Sequence, residues 1–527
     1  MLADGRGIPA DGQAVTRRFS AGHLPGLVES DVRRQVLSFG AGAGRVEVDV
    51  PVLDPAQMTL LAKQVRAAAR ARLATLDVSR IITIIDTAIA RLLDPSDPHR
   101  RELDALLPVV TGYDAEMIGL SLTSFLKTFR APQLHRFVAE DFPNPKVLDE
   151  FQPAVKGGAM RAIGPALLVH SWAGNVPALP LWSLVCGLLV KSGNIGKLPS
   201  AEPVFATVFA RLLAEVHPPL AECLAVVWWK GGPTNEANAT KNTSEGGEGS
   251  EGGGRRDSDA ATALYAQADV VLAYGSNDTL AQVRAMVPIT TRFLPFGHKI
   301  GFALIGKSAL DAERAPATAR LAAKDVVRYD QQGCYSPHVL YVERGGRVAP
   351  RDFVQYLAAE LASLEHRFPR RALMIEDAIA VAGWQQASEL RAIADTGSEQ
   401  IGDRNATWSV AYADAPFPLT PTAANRTLQV IAVDRLDDVV DQIASSARFL
   451  QTVGVAVDAP ALYPLAERLA AAGVTRLAAI GSMTSPEAGW HHDGRFNLLD
   501  LVRMVEIELS AERMSDRLAT YAEEDPA

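Results

Sequence analysis

Apolar residues recur at helical spacing through the first third of the chain. In "DPAQMTLLAKQVRAAARARLATL", Asp54 to Leu76, they fall three and four apart behind an aspartate able to cap a helix. "DVSRIITIIDTAIARLLD", Asp77 to Asp94, repeats the arrangement. The spacing predicts a mostly helical layer up to about Phe151. From Ala162 the rhythm changes. "AIGPALLVHS" reads as a strand, residues 177–190 as a helix, "GNIGKL" as a strand and "PVFATVFARLLAEV" as a helix. "AECLAVVWWKGG" and "ADVVLAYGS" read as further strands. Strand and helix alternating at this spacing predict a parallel α/β sheet.

A second α/β unit starts near Gly297. Its strands are "KIGFALIGKSA", "HVLYVERGG", "TWSVAYAD", "TLQVIAVDRL", "VGVAVD" and "TRLAAIG", with helices between them. The tail from Asp500 reads as helical. Residues 233–259 break the pattern: nearly all are polar or glycine, which predicts a flexible surface insertion. The expected division is a helical layer plus a first α/β domain over 1–294, a second over 295–480, and a C-terminal return segment over 481–527.

Composition narrows the function. Of 527 residues, 48% are hydrophobic and 21% charged, as in a globular enzyme-sized protein. A net charge of −9 without a dense Lys/Arg run argues against a nucleic-acid binder. The arginines from Arg66 to Arg72 alternate with alanine and read as a solvated helix face. Residues 176–190 form the most apolar stretch, too short to span a membrane. Cys186, Cys223 and Cys334 fit neither a metal site nor a disulfide framework, so no metal and a reduced, cytoplasmic setting are expected.

Four stretches carry candidate chemistry. Cys334 lies in "YDQQGCYSPH", a helix-to-strand connection of the kind where catalytic groups concentrate. Those ten residues alone favour a small core cysteine over a nucleophile. His338 is either its partner or a buried structural histidine. Asn175, in "VHSWAGNVPALPLW", is an oxyanion donor or a helix cap. Lys197, in "KSGNIGKLPSAEP", stands at a strand's carboxyl end, where open α/β sheets bind ligands. Gly275 and Ser276 close a strand and open a helix, where backbone N–H groups can meet a phosphate.

The order of these stretches resembles the aldehyde dehydrogenase superfamily, in its acyl-CoA reductase branch. That branch is the LuxC-type fatty acid reductases associated with bacterial luminescence. The resemblance runs from about Ala162 to Glu506. "GNVPALPLW" looks like the superfamily's asparagine loop, "GNIGKLPSAEP" its "GN…K-P-S-E…P" cofactor strand, and "AYGS" its "F-T-G-S" turn. "PFGHKIGFALI" is similar to "E-L-G-G-K", and "DQQGCYSPHVLYVE" to the nucleophile loop. "WHHDGRFNLLDLVRMVEIE" is the most branch-specific stretch.

The resemblance implies an aldehyde-dehydrogenase-like fold of two Rossmann-like α/β domains with parallel sheets and a helical N-terminal layer. It implies Cys334 as nucleophile, Asn175 as oxyanion donor, and Lys197, Ser200, Gly275 and Ser276 as cofactor contacts. Pro295 replaces the glutamate that activates water, so a thiol such as CoA, not water, is the expected acyl acceptor. Gln331, Gln332 and Gly333 stand where the superfamily has glycine and glutamine further ahead of the cysteine, so the loop geometry can differ. Ser200 replaces a ribose-holding glutamate, which favours NADPH over NADH, with Glu202 able to refill that role. His298 stands where glycine is usual and is left without a role. The expected partners are a fatty acyl-CoA or acyl-protein, an acyl-protein synthetase, and further copies of the chain. Two competing readings are a CoA-acylating aldehyde dehydrogenase for a short or aromatic aldehyde, and a Cys/His acyltransferase without nicotinamide.

Overall fold

The N-terminal layer begins with strands. The computed structural model describes residues 16–231, 251–403 and 405–519. Its first elements are β1 (Arg17–Ser20), β2 (Arg33–Phe39) and β3 (Val46–Val52), in sheet order β1-β3-β2. The mostly helical reading of this layer does not include these strands. The signal is period two: Val46, Val48 and Val50 are buried, while Glu47 and Asp49 between them are not.

The helices follow as expected. α1 (Pro55–Arg72) starts with a capping box: Gln57 N–H donates to Asp54 Oδ1 (2.8 Å), and Asp54 N–H to Gln57 Oε1 (3.0 Å). α2 (Val78–Leu93) is capped by Asp77 and buries Ile81, Ile82, Ile85 and Ile89 on one face. Each such side chain contributes about 1.5–3 kcal/mol on burial. α3 (Pro98–Thr111), α4 (Ala115–Leu126) and α5 (Ala131–Asp141) complete the layer.

"AIGPALLVHS" divides between two sheets. β4 (Gln152–Pro153) and β5 (Ala159–Ile163) belong to a small sheet, and β6 (Leu167–Ser171) to the first large one. Gly164 and Pro165 interrupt the strand, and a Cβ on Gly164 would stand 1.9 Å from the Val190 carbonyl oxygen. The first large sheet adds β7 (Gly193–Lys197), β8 (Leu224–Val227), β9 (Val270–Tyr274) and β10 (Arg292–Phe296). All its pairs are parallel, in the order β10-β9-β6-β7-β8. Its connecting helices are α6 (Pro180–Leu189), α7 (Phe205–Val216), the short α8 (Pro218–Ala221), α9 (Glu251–Tyr265) and α10 (Asn277–Met286).

Two expected boundaries shift. α9 begins at Glu251, so residues 251–259 are helix and not flexible loop; the rest of the insertion, from Pro233, lies outside the described residues. The division after Leu294 cuts β10, which stays with the first sheet by pairing along β9 from Arg292 to Phe296.

The second large sheet holds β11 (Ile300–Ile305), β12 (Pro337–Glu343), β13 (Ser398–Gly402), β14 (Ser409–Ala413), β15 (Thr427–Val433), β16 (Leu450–Ala456) and β17 (Arg476–Ala479). Its order is β13-β14-β15-β12-β11-β16-β17, parallel except for β13 on β14. β11 and β15 are buried along their whole length, as strands covered on both faces must be. α11 (Arg314–Val327) and α12 (Pro350–Arg367) pack against it. The tail is not wholly helical: β18 (Arg503–Ile507) pairs antiparallel with β5 before the last helix.

Candidate active site

Cys334 lies between α11 and β12, and the chain reaches it through a turn of uncommon backbone. Tyr329, Asp330 and Gln331 take φ of 52°, 48° and 62°. Left-handed backbone costs a residue with a Cβ about 1–2 kcal/mol. A second run of the same kind, Ala424, Asn425 and Arg426 at 50°, 49° and 67°, lies against the first.

The two runs lock together. Asn425 N–H donates to the Asp330 carbonyl (2.8 Å), and Arg426 Nε to Asp330 Oδ1 (2.7 Å). Arg426 Nη1 also reaches Glu365 Oε2 (2.5 Å). Arg426 and Asp330 have no exposed surface. Gln331 Nε2 donates to the Pro337 and Thr427 carbonyls, and Gln332 Nε2 to Asn425 Oδ1. At Gly333 a Cβ would stand 2.3 Å from the Tyr335 ring, so the close turn needs glycine.

Cys334 itself is half-buried. Gln451 Nε2, at the start of β16, donates to Sγ (3.5 Å) and to Asp493 Oδ1 (2.5 Å). Burial pushes the Cys334 thiol up to about 11, and the Asp493 charge adds to the rise. The Gln451 amide and the cysteine's own N–H act the other way, more weakly. The resting group is therefore a thiol, and not the pre-formed thiolate a nucleophile would ideally present.

Asp493→Asn removes the neighbouring negative charge and lowers the thiol pKa. Iodoacetamide labelling of Cys334 at pH 8, followed by mass spectrometry, should speed up roughly tenfold for each unit of that fall. Unchanged labelling would release Asp493 from any control of the thiol.

Asn175 is exposed, and its Nδ2 donates to the Gln332 carbonyl (2.6 Å), two residues before Cys334. The Tyr113 hydroxyl ties the two loops by donating to the carbonyls of Asn175 (2.9 Å) and Tyr329 (3.2 Å). α6 starts at Pro180 with Leu179 as its cap residue, so Asn175 is not a helix cap. His338 does not join the cysteine. It is buried, its Nδ1 lies 2.9 Å from Thr422 Oγ1, and burial draws its pKa down to about 4. His298 lies exposed near it.

Cys334 opens into a cavity of about 250 Å³. Phe125, Val176, Leu179, Trp182, Trp490 and the Tyr274 ring at the end of β9 supply apolar wall. His492 lines it too, stacked on Phe296 (centroids 4.7 Å apart). Its carboxylate is Glu487, exposed at the rim. A second apolar cavity of about 260 Å³, walled by Met117, Leu120, Leu364 and Phe368, shares Ser124, Arg328 and Ser485 with the first. Arg328 stands at the neck, with Nη1 on Ser485 Oγ (2.5 Å) and its guanidinium over the Tyr329 ring.

Across the first sheet the chain moves from β6 to β7 and β8 on one side, then to β9 and β10 on the other. That reversal opens the crevice where doubly wound sheets bind nucleotides. Lys197 ends β7 there, 5.8 Å over the Trp229 ring. Burial draws its pKa down to about 8, and among the described residues it meets no carboxylate. Ser276 caps α10 through Thr279 N–H (3.3 Å), directly after Gly275. Ser200 Oγ accepts from Trp228 Nε1 (3.2 Å). Glu202 is fully buried and its Oε1 accepts from the N–H groups of Val204 and Phe205 at the start of α7. Its Oε2 is buried without a partner. A cation without a partner, a helix start and the crevice together fit a dinucleotide.

The fold is that of the aldehyde dehydrogenases. Indole-3-acetaldehyde dehydrogenase, solved with NAD+, superposes with a TM-score of 0.67 at 14% identity, over 94% of this chain and 98% of that one. Aldehyde dehydrogenase 21 from Physcomitrella patens gives 0.66 at 12% identity, with the same coverage. Within that class the chain belongs to the acyl-CoA reductase (LuxC) family, whose sequence model matches residues 73–245 and 255–504, and it is an oxidoreductase. The long-chain acyl-protein thioester reductase of Photorhabdus luminescens is 24% identical over 91% of this chain and 90% of its own length. That of Vibrio harveyi is 23% identical over 82% and 83%. No described helix is long and apolar enough to cross a membrane.

Proposed function

We propose that this protein reduces a long-chain fatty acyl thioester to the aldehyde through an acyl-cysteine on Cys334, with NADPH as reductant. One observation carries the reading: the one cysteine that is not fully buried lines an apolar cavity together with Tyr274, at the carboxyl end of β9. The cavity binds the acyl chain, and its continuation past Arg328 gives room for a long one.

The residues divide the work as follows. The Cys334 thiol must lose its proton as sulfur attacks the acyl carbonyl. His492, in the same cavity and kept neutral by burial, takes it and returns it to the departing thiol. The Asn175 amide and the Cys334 N–H stabilise the oxyanion, each worth about 3 kcal/mol. Asn175 must leave the Gln332 carbonyl to do so. Bound NADPH supplies hydride to the acyl-cysteine carbonyl. Lys197, Ser200, Gly275 and Ser276 hold the cofactor. Pro295 offers no base to water, so the acyl group on Cys334 waits for hydride.

The donor is an acyl-protein or acyl-CoA; relatives named acyl-protein thioester reductases support the first. A synthetase partner and a homo-oligomer belong to the same reading. Its test is NAD(P)H oxidation and aldehyde release with acyl thioesters of graded length. Long chains with NADPH should dominate, and activity confined to short or aromatic substrates would sink the proposal.

Lys197→Ala should raise KM for NADPH about tenfold or more and KM for NADH much less, since a charge-assisted contact to the 2′-phosphate is lost. The ammonium is charged below its pKa of about 8. KM for NADPH in the parent protein should therefore climb as pH rises through 8. Equal effects on both nicotinamides would take Lys197 away from the phosphate.

A further inference from the structure

The amino ends of the first sheet, opposite the crevice, frame a cleft of about 580 Å³. Arg70 of α1, Arg161 of β5, Lys191 before β7, Arg292 of β10 and Arg503 of β18 line it, against the single carboxylate of Asp269. A chain of net charge −9 thus gathers five cations from five separate segments in one place.

Two of them are engaged. Lys191 Nζ pairs with Asp149 (2.6 Å), and Arg292 Nη1 donates to the Asp500 carbonyl (2.5 Å). Among the described residues Arg70, Arg161 and Arg503 have neither an ion pair nor a side-chain hydrogen bond. Arg161 Nε is inaccessible to water and has no acceptor. A buried donor left unmet costs about 1–3 kcal/mol. Arg161 and Arg503 are diagonal neighbours on one face of the β5–β18 ladder, where Arg161 faces Val505 and Arg503 faces Ile163. Two guanidinium forks so placed suit the oxygens of a phosphate chain, which each can grip bidentately.

We infer that this cleft is a second ligand site, built for a small polyphosphate such as the diphosphate or triphosphate of a nucleotide. Its size is that of a small-molecule pocket. It is separate from the catalytic crevice: Val270 of β9 lines the cleft, and Tyr274, four residues on, lines the cysteine cavity. Four strand steps span about 13 Å. The inference does not depend on which thioester Cys334 reduces.

Calorimetry on the full-length protein tests it, with inorganic pyrophosphate and ATP as probes and saturating NADP+ present. One site per chain is expected, with affinity falling as salt rises. Arg503→Gln, on an exposed side chain, should weaken pyrophosphate binding about tenfold, or about 1.4 kcal/mol. Arg161→Gln should do the same, and Lys197→Ala should leave binding unchanged. ATP binding more tightly than pyrophosphate identifies a nucleotide; equal affinity identifies the phosphate chain alone. No binding at millimolar probe, displacement by NADP+, or a constant untouched by Arg503→Gln would each overturn the inference.

Discussion

Cys334→Ala should leave the protein folded and abolish its covalent labelling by a radioactive fatty acyl thioester. The substitution removes a half-buried thiol whose hydrogen bond, from Gln451 at 3.5 Å, is weak, so little stability is lost. Chemistry, by contrast, would lose the one cysteine thiol that is not buried. Cys186 and Cys223 are buried, and burial pushes both thiols up, Cys223 to about 12. Neither can substitute. Reductase activity should fall by about 10⁴-fold or more, as when the nucleophile of a covalent mechanism is removed. In the parent protein, without NADPH, the label should persist, and adding NADPH should discharge it as aldehyde. Label surviving in Cys334→Ala, or discharge as free acid, would overturn the assignment of Cys334 or of Pro295 respectively.

Arg426→Met should be the most destabilising single change near the site. It strands Asp330, fully buried and facing Arg426 Nε at 2.7 Å, and frees the left-handed run from Tyr329 to Gln331. Removing one partner of such a pair costs about 3–5 kcal/mol. Denaturant or thermal unfolding should show the loss, together with a fall in kcat. Adding Asp330→Asn removes the stranded charge and should return most of the stability. Activity should not return with it, because the clamp that shapes the nucleophile loop is still missing. Full activity in Arg426→Met would mean the loop holds its form unaided.

The parallel sheets were legible because their strands are unbroken apolar runs divided by amphipathic helices. The strand from Val46 to Val52 was hidden by the long helices that follow it, although Val46, Val48 and Val50 alternate plainly with polar neighbours. β10 was missed because Pro295 sits within it, and proline argues against a strand interior. Cys334, Asn175, Lys197 and Ser276 stood out only through the order of their stretches, since the ten residues around Cys334 taken alone favour a core cysteine. Gln451 did not: it stands in no motif and meets Cys334 only when β16 is laid beside β11. Asp493 lies within a stretch that stood out, "WHHDGRFN", but nothing local ties it to a cysteine far upstream. Arg426 is of the same kind, since its reason lies across the fold at Asp330.

The protonated resting state of Cys334 has a consequence for durability. Peroxide attacks thiolates and hardly touches thiols, so oxidation to sulfenic acid and beyond depends on the ionised fraction. A thiol held near 11 exposes about one sulfur in a thousand to that damage at pH 8. In the proposed role Cys334 would thus be shielded while idle, and vulnerable mainly during the brief interval when substrate draws its proton away.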